Sequence, residues 1–340
     1  MKTSAKQSAV PSGSKQLARS PTQSFFADPL KIHTMLVAVD FSDASFQALE
    51  YALAFAGRFN ACIHLVYVDE KKTRFASLVN TPELFSDPAI ELFSDREIAG
   101  RLKDEVQRRF SIDLPAKDCH FRTGKAFTEI CATAQKLDAD VIVIATHGRT
   151  GLKHLTLGST AEQVIRHANC PVLVVRQMSE PINTKGEGIA LQKILVPVDF
   201  SECAREGAKY ASVFAVRTGA SLLLMHVYYP PDYTAADVTS VPPEWSQLVA
   251  TARRNANDNL EKIVSALPTG ISVETEVAIG TPIEKLVEAT ARPDIDMVIT
   301  STHGYSGLRH SLIGSTAEQL VRLAHRPVLI IPSHCRQIEP

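Results

Sequence analysis

Short apolar runs rich in Val, Ile and Leu alternate along the chain with longer stretches in which apolar residues return every three or four positions. The short runs predict strands near Thr34–Val39, Cys62–Val68, Cys119–Thr123, Val141–Ala145 and Val172–Val175. The longer periods predict helices near Asp43–Arg58, Ile90–Phe110, Ala126–Leu137 and Ser159–His167. The same order returns from Lys193 to Ile331. Strands that are apolar on both faces and alternate with helices belong to a parallel sheet covered on both sides, with right-handed crossovers. The expected fold class is α/β, with two tandem open-sheet α/β/α sandwiches of about five strands each.

The duplication is visible in the residues themselves. Met35-Leu-Val-Ala-Val-Asp40-Phe-Ser42 returns as Ile194-Leu-Val-Pro-Val-Asp199-Phe-Ser201, an offset of 159. Thr146-His-Gly148-Arg-Thr-Gly151-Leu returns as Thr302-His-Gly304-Tyr-Ser-Gly307-Leu, and Leu157-Gly-Ser-Thr-Ala-Glu-Gln163 as Ile313-Gly-Ser-Thr-Ala-Glu-Gln319, both at an offset of 156. The second copy is therefore three residues shorter, most simply in the variable stretch after its second strand. A period this long marks duplicated domains rather than a solenoid, whose repeats span roughly 20–50 residues. The expected division is a tail over 1–30, a first domain over 31–176, a linker over 177–191 containing Pro181, Gly186 and Gly188, a second domain over 192–333 and a tail over 334–340.

Composition narrows the function classes. The 340 residues carry 36 Lys+Arg against 37 Asp+Glu, a formal net charge of −1, which argues against a broad nucleic-acid face or a polybasic membrane anchor. No apolar run approaches the ~18–20 residues that cross a bilayer. Cys62, Cys119, Cys131, Cys170, Cys203 and Cys335 show neither C-x-x-C nor finger-like spacing, so they read as buried, reduced thiols of a cytoplasmic protein. The first 30 residues are rich in Ser, Lys, Gln and Pro, have no acidic residue before Asp28 and no apolar period, and are expected to be disordered. Sparse Arg argues against a transit peptide there.

Candidate chemistry falls where an open parallel sheet binds ligands, beyond the carboxyl ends of strands at a reversal of strand order. Asp40 and Asp199 end the first strand of each copy. After the fourth strand comes a glycine-bearing loop, with Gly148 and Gly151 in one copy and Gly304 and Gly307 in the other. Such glycines allow amides to approach a ligand closely. Gly158-Ser159-Thr160 and Gly314-Ser315-Thr316 then open helices whose first amides lack intrahelical partners and favour a phosphate. Arg149, Lys153, His154, Arg309 and His310 could add charge. Against this, Ser159-x-x-Glu162 and Ser315-x-x-Glu318 have the form of capping boxes, which explains Ser and Glu without a ligand. No Walker A sequence and no G-x-G-x-x-G are present, and His147 and His303 lack a nucleophile or orienting carboxylate at recognisable spacing, so no catalytic residue is assigned.

Taken together, V-x-V-D-F-S, the turns Gly124-Lys-Ala and Gly280-Thr-Pro282, A-T-H-G-R-T-G-L-x(5)-G-S-T-A-E and C-P-V-L-V-V resemble the universal stress protein family, twice, from about residue 32 to residue 332. The resemblance implies a Rossmann-like tandem with strand order 3-2-1-4-5 in each copy. It also implies ATP, with or without Mg²⁺, held through the pattern G-x-x-G-x(9)-G-[S/T]. Carried over, the binding residues are Asp40, Val68, Ala145, Gly148, Gly158, Ser159 and Thr160, and Asp199, Val227, Ser301, Gly304, Gly314, Ser315 and Thr316. Ala145 and Ser301 stand where the pattern has its first glycine, so neither copy matches fully. The family's habit of dimerising through last strands implies that Val172–Val175 and Val328–Ile331 pair within the chain as a pseudo-dimer, with further homo-oligomers open. The expected function is an adenine-nucleotide-binding stress or signalling module, not an enzyme, with no nucleic-acid or membrane partner. A protein-interaction module without nucleotide, and a slow ATPase or self-phosphorylating protein, stay open as alternatives.

Overall fold

The apolar runs fold as strands because their β-branched side chains fit a pleated surface buried on both faces. A computed structural model describes residues 30–70, 95–146, 157–176, 191–230, 243–302 and 314–332. In the first half the elements are β1 (Thr34–Ala38), α1 (Asp43–Phe59), β2 (Cys62–Asp69), α2 (Asp95–Phe110), a 3₁₀ turn (Ala116–Asp118), β3 (Cys119–Thr123), α3 (Ala126–Lys136), β4 (Val141–Ala145), α4 (Ser159–His167) and β5 (Val172–Val175). In the second half they are β6 (Lys193–Pro197), α5 (Glu202–Thr218), β7 (Ser221–Tyr228), α6 (Pro243–Ser265), β8 (Val273–Ile279), α7 (Pro282–Thr290), β9 (Ile295–Ser301), α8 (Ser315–Leu323) and β10 (Val328–Ile331). Residues 1–29, the expected C-terminal tail and most of the expected linker lie outside the described residues, whereas Leu30, expected as the end of the first tail, is buried in the core.

All ten strands form one sheet in the order β3-β2-β1-β4-β5-β10-β9-β6-β7-β8. Neighbours are parallel except at the centre, where β5 and β10 run antiparallel with Val174 opposite Val328 and Val172 opposite Ile330. The pairing of last strands expected from the resemblance is therefore made within one chain, and it covers two edges that would otherwise offer unpaired backbone groups. The offset between halves is 159 through Val68 and Val227 and 156 from their partners Arg122 and Ala278 onward, so the three missing residues come from the β7–β8 crossover.

Alternation along β1 sends Met35 and Val37 to one face and Leu36 and Ala38 to the other. The first face is covered by α1, α2, α5 and α6, the second by α3, α4, α7 and α8. Both cores run through the central strands, so the halves share them. Phe214 of α5 lies 5.8 Å from Phe55 and 5.3 Å from Phe59 of α1, ring centre to ring centre. Arg58 Nε donates to the Arg217 carbonyl at 2.8 Å beside this cluster. Asp140 Oδ2 accepts from the His33 and Thr34 amides at 2.7 and 2.9 Å, which fixes the start of β1 against β4. Asp296 repeats the device on Gln192 and Lys193.

The expectation of buried thiols needs correction. Cys62 opens β2 at the amino edge of the sheet and is exposed, while Cys119, Cys131, Cys170 and Cys203 are half-buried, and none of the five is in a disulfide. Burial still pushes the Cys131 thiol up to about 11 and raises those of Cys119 and Cys203, which disfavours their thiolate forms. Cys335 lies outside the described residues.

Candidate functional site

The site is built from two turns at the carboxyl edge of the sheet. The first joins β1 to α1. Asp40 Oδ1 accepts from the Ser42 amide at 3.0 Å and from the Ser42 hydroxyl at 2.5 Å, and Ser42 Oγ in turn accepts from the Ser45 amide at 3.1 Å. Ser42 is thus the N-cap of α1. Between the two residues, Phe41 is held at a φ of +64°, and Phe200 is held at the same +64° between Asp199 and Ser201. A bulky side chain in this region costs roughly 1–3 kcal/mol and persists only when its surroundings over-determine it. Here the surroundings are the hydrogen bonds on either side and an aromatic seat, Tyr67 at 5.4 Å for Phe41 and His226 at 4.3 Å for Phe200. The strained residue sits beside a carboxylate that both halves present at this edge, and the Ser42 and Ser201 hydrogen bonds fix that carboxylate's position.

The second turn leaves β4. β1 and β4 are hydrogen-bonded neighbours, with Met35 opposite Val141 and Val37 opposite Val143, so Asp40 and Thr146 emerge side by side. The Thr146 amide donates to the Val175 carbonyl at 3.0 Å, and the Thr146 carbonyl accepts from the Gly158 amide at 2.8 Å. The chain that leaves at Thr146 is thereby returned to the same point before α4 begins. In the second half the Thr302 amide reaches the Ile331 carbonyl at 3.0 Å and the Gly314 amide reaches the Thr302 carbonyl at 2.7 Å.

This closure overturns the capping-box reading. Gly158 and Gly314 are the N-caps of α4 and α8, and among the described residues no side-chain hydrogen bond caps either helix. Ser159 and Ser315 are the first helical residues, and Glu162 and Glu318 turn along the helix to Arg166 at 2.8 Å and Arg322 at 2.6 Å instead of back to the cap. The first amides of both helices therefore lack the side-chain acceptor that a capping box supplies, and Ser and Thr hydroxyls stand beside them.

In the second half these parts border one cleft of about 220 Å³. Asp199, Val227, Ser301, Gly314, Ser315 and Thr316 all line it. The remaining expected residue of that half, Gly304, lies outside the described residues, as does Gly148 in the first half. The first half places Asp40, Val68, Ala145, Gly158, Ser159 and Thr160 at the corresponding ends of β1, β2, β4 and α4. His147, Arg149, Gly151, Lys153, His154, His303, Gly307, Arg309 and His310 fall outside the described residues. Among the described residues no group of three His, Cys, Asp or Glu is arranged to hold a metal ion, and no helix is long and apolar enough to cross a membrane.

Sequence reasoning missed the capping serines Ser42 and Ser201, although a serine just before a helical period is a start signal. It also missed Thr146 and Thr302, whose backbone closes the loop and whose type gives no hint of it. Glu70, beyond β2, accepts from the Ala126 amide at 2.8 Å and supplies the acceptor that α3 lacks from its own sequence.

Known proteins similar to this chain show its family and its fold. The model of the universal stress protein family matches residues 31–176 and again residues 190–332. Universal stress protein Slr1230 of Synechocystis is 25% identical over 313 residues, covering 87% of this chain and 98% of its own. Universal stress protein MJ0577 of Methanocaldococcus jannaschii is 26% identical over 155 residues, 42% of this chain and 96% of its own. Among solved structures, a universal stress protein from Archaeoglobus fulgidus superposes with a TM-score of 0.57 at 20% identity, over 90% of this chain and 99% of its own, a likeness of fold. With both halves matched, the chain belongs to the universal stress protein family as a tandem, two-domain member.

Proposed function

We propose that the protein is an adenine-nucleotide-binding stress-response module that takes ATP at the carboxyl edge of each half. The observation that carries this reading is the second-half cleft, which gathers Asp199, Val227, Ser301, Gly314, Ser315 and Thr316 from four separate elements onto one concave surface. The donor set suits a polyphosphate. Amides at the start of α8, with no side-chain cap among the described residues, and the hydroxyls of Ser315 and Thr316 offer hydrogen bonds and the positive end of a helix dipole to an anion. Asp199 is a fixed acceptor for a donor on the ligand, a sugar hydroxyl above all. The end of β7 at Val227 offers backbone groups to the edge of a base. A Mg²⁺ ion would sit on the phosphates, with water and at most the aspartate completing its shell, since Mg²⁺ is commonly held by substrate oxygens and one or two carboxylates. The first half offers Asp40, Val68, Ala145, Gly148, Gly158, Ser159 and Thr160 in the same roles.

Binding rather than turnover is the proposed activity. The described lining is accounted for by binding roles alone, with Asp199 held beside Ser201 and His226 Nδ1 engaged with the Val198 carbonyl at 2.7 Å. A ligand that binds only the folded state stabilises it by about 2.7 kcal/mol at 100 Kd, enough to tie the state of the module to cellular ATP. The test is to denature freshly purified protein and identify released nucleotide by mass spectrometry, in the wild type and in Gly148→Val and Gly304→Val. ATP or another adenine nucleotide released from the wild type, and reduced in either variant, is expected. Equal release from the wild type and from the variant carrying both substitutions would discard the proposed loop, and release of a different ligand class would discard the reading.

A further inference from the structure

Four charged residues lie across the junction of the halves, and the cleft reading does not use them. Glu162 and Arg166 belong to α4, and Glu318 and Arg322 occupy the same positions in α8. Each arginine bonds the glutamate of its own helix, Arg166 Nη2 to Glu162 Oε1 at 2.8 Å and Arg322 Nη2 to Glu318 Oε1 at 2.6 Å. The same Nη2 atoms also face the glutamate of the other helix, Arg166 to Glu318 Oε2 at 3.8 Å and Arg322 to Glu162 Oε2 at 3.9 Å. All four side chains are partly buried, between 17% and 35% exposed, so salt screens them less than it screens open surface charges. Arg322 Nε is buried without a hydrogen-bond partner, so one edge of that guanidinium is not held.

Glu162 and Glu318 are the fourth residues of their helices, in the first turn and about 4.5 Å along the axis from the first helical residue. A carboxylate so placed opposes an anion bound at the first-turn amides unless a cation compensates it. Two guanidiniums compensate two such carboxylates, and each guanidinium lies within 4 Å of both. We propose that the two nucleotide sites share these arginines, so that filling one site weakens the other.

The sign follows from the geometry. A polyphosphate at the start of α4 raises the negative potential around Glu162 and draws Arg322 from its 2.6 Å contact on Glu318 toward Glu162. Glu318 is then less compensated, and the start of α8 becomes a poorer anion site. The exchange works equally in reverse, as linkage requires, and the guanidinium with a choice of two carboxylates is the element that both sites bias. Repulsion between two bound anions acts in the same direction.

This inference rests on the nucleotide reading above. Its test is a calorimetric titration of the full chain with ATP. The product of the two stepwise Kd values in the wild type is divided by the product of the single Kd values of Gly148→Val and Gly304→Val. Independent sites give a ratio of one, and the shared arginines predict a ratio of roughly 5 or more, at the lower end of typical couplings. The ratio is expected to fall toward one at high salt and when Glu162, Arg166, Glu318 and Arg322 are all replaced by Gln. One ATP per wild-type chain, with each single variant still binding one, is the strong limit of the same coupling. A ratio of one, binding in only one of the two variants, or a ratio unchanged by the Gln replacements would overturn the inference and leave nucleotide binding standing. No ATP bound by the wild type would overturn the nucleotide reading itself, and this inference with it.

Discussion

At the scale of single residues, the site depends on side chains whose task is to hold backbone. Asp40 was legible because an acidic residue ending an apolar strand, repeated at Asp199, stands out from its neighbours. Its engagement with Ser42 and the left-handed Phe41 were not legible, because propensity disfavours a positive φ at Phe and only the assembled turn enforces it. Away from the site, Glu276 of β8 receives two hydrogen bonds from Arg292, at 2.6 and 2.8 Å. These bonds hold its carboxyl below the usual glutamate range, against a smaller opposing effect of burial. A folded-state value that is depressed contributes stability above the unfolded value of roughly 4.3 and loses it as pH falls through the folded one. Both side chains are about a third exposed, so solvent screening limits the pair to about 1 kcal/mol or less. Urea unfolding of Arg292→Met should therefore lie below the wild type by up to about that amount at pH 7, and the gap should shrink as pH falls below the unfolded glutamate value. A gap that widened as pH fell would contradict the assignment.

At the scale of elements, strands were read most faithfully. β4 and β5 start and end where the apolar runs do, because strands buried on both faces leave little room for a polar residue within the run. The start of α4 was legible but its chemistry was not. Ser-x-x-Glu has the same spelling whether Ser is the cap or the first helical residue. The Gly158 amide, bonded to the Thr146 carbonyl, places the cap one residue earlier, and that bond spans a loop no local pattern encodes. The junction helices α1 and α5 carry a further expectation. Phe214 is 3% exposed and wedged against Phe55 and Phe59 of the other half. Its loss to Ala should cost about 3–5 kcal/mol. Because the ring belongs to a core shared by both halves, the wild type should melt in one calorimetric transition and Phe214→Ala in two. Two transitions in the wild type, unchanged by the substitution, would mean that the halves do not share their stability.

At the scale of the whole molecule, duplication was plain in the sequence and explains why one chain presents two similar edges. The continuous sheet depends on β5 meeting β10 with Val174 opposite Val328, a contact between segments more than 150 residues apart, which neither half records alone and which only the family resemblance suggested. The chain is nearly neutral overall, so the proposed anion sites are local ones, at helix starts and backbone amides. The central claim is that these edges bind ATP, and a calorimetric titration of the full chain with ATP tests it most directly. Saturable binding of one or two ATP per chain, lost when Gly148 and Gly304 are both replaced by Val, is the predicted result. Absence of binding up to about 1 mM, where affinity falls to roughly −4 kcal/mol, would contradict it.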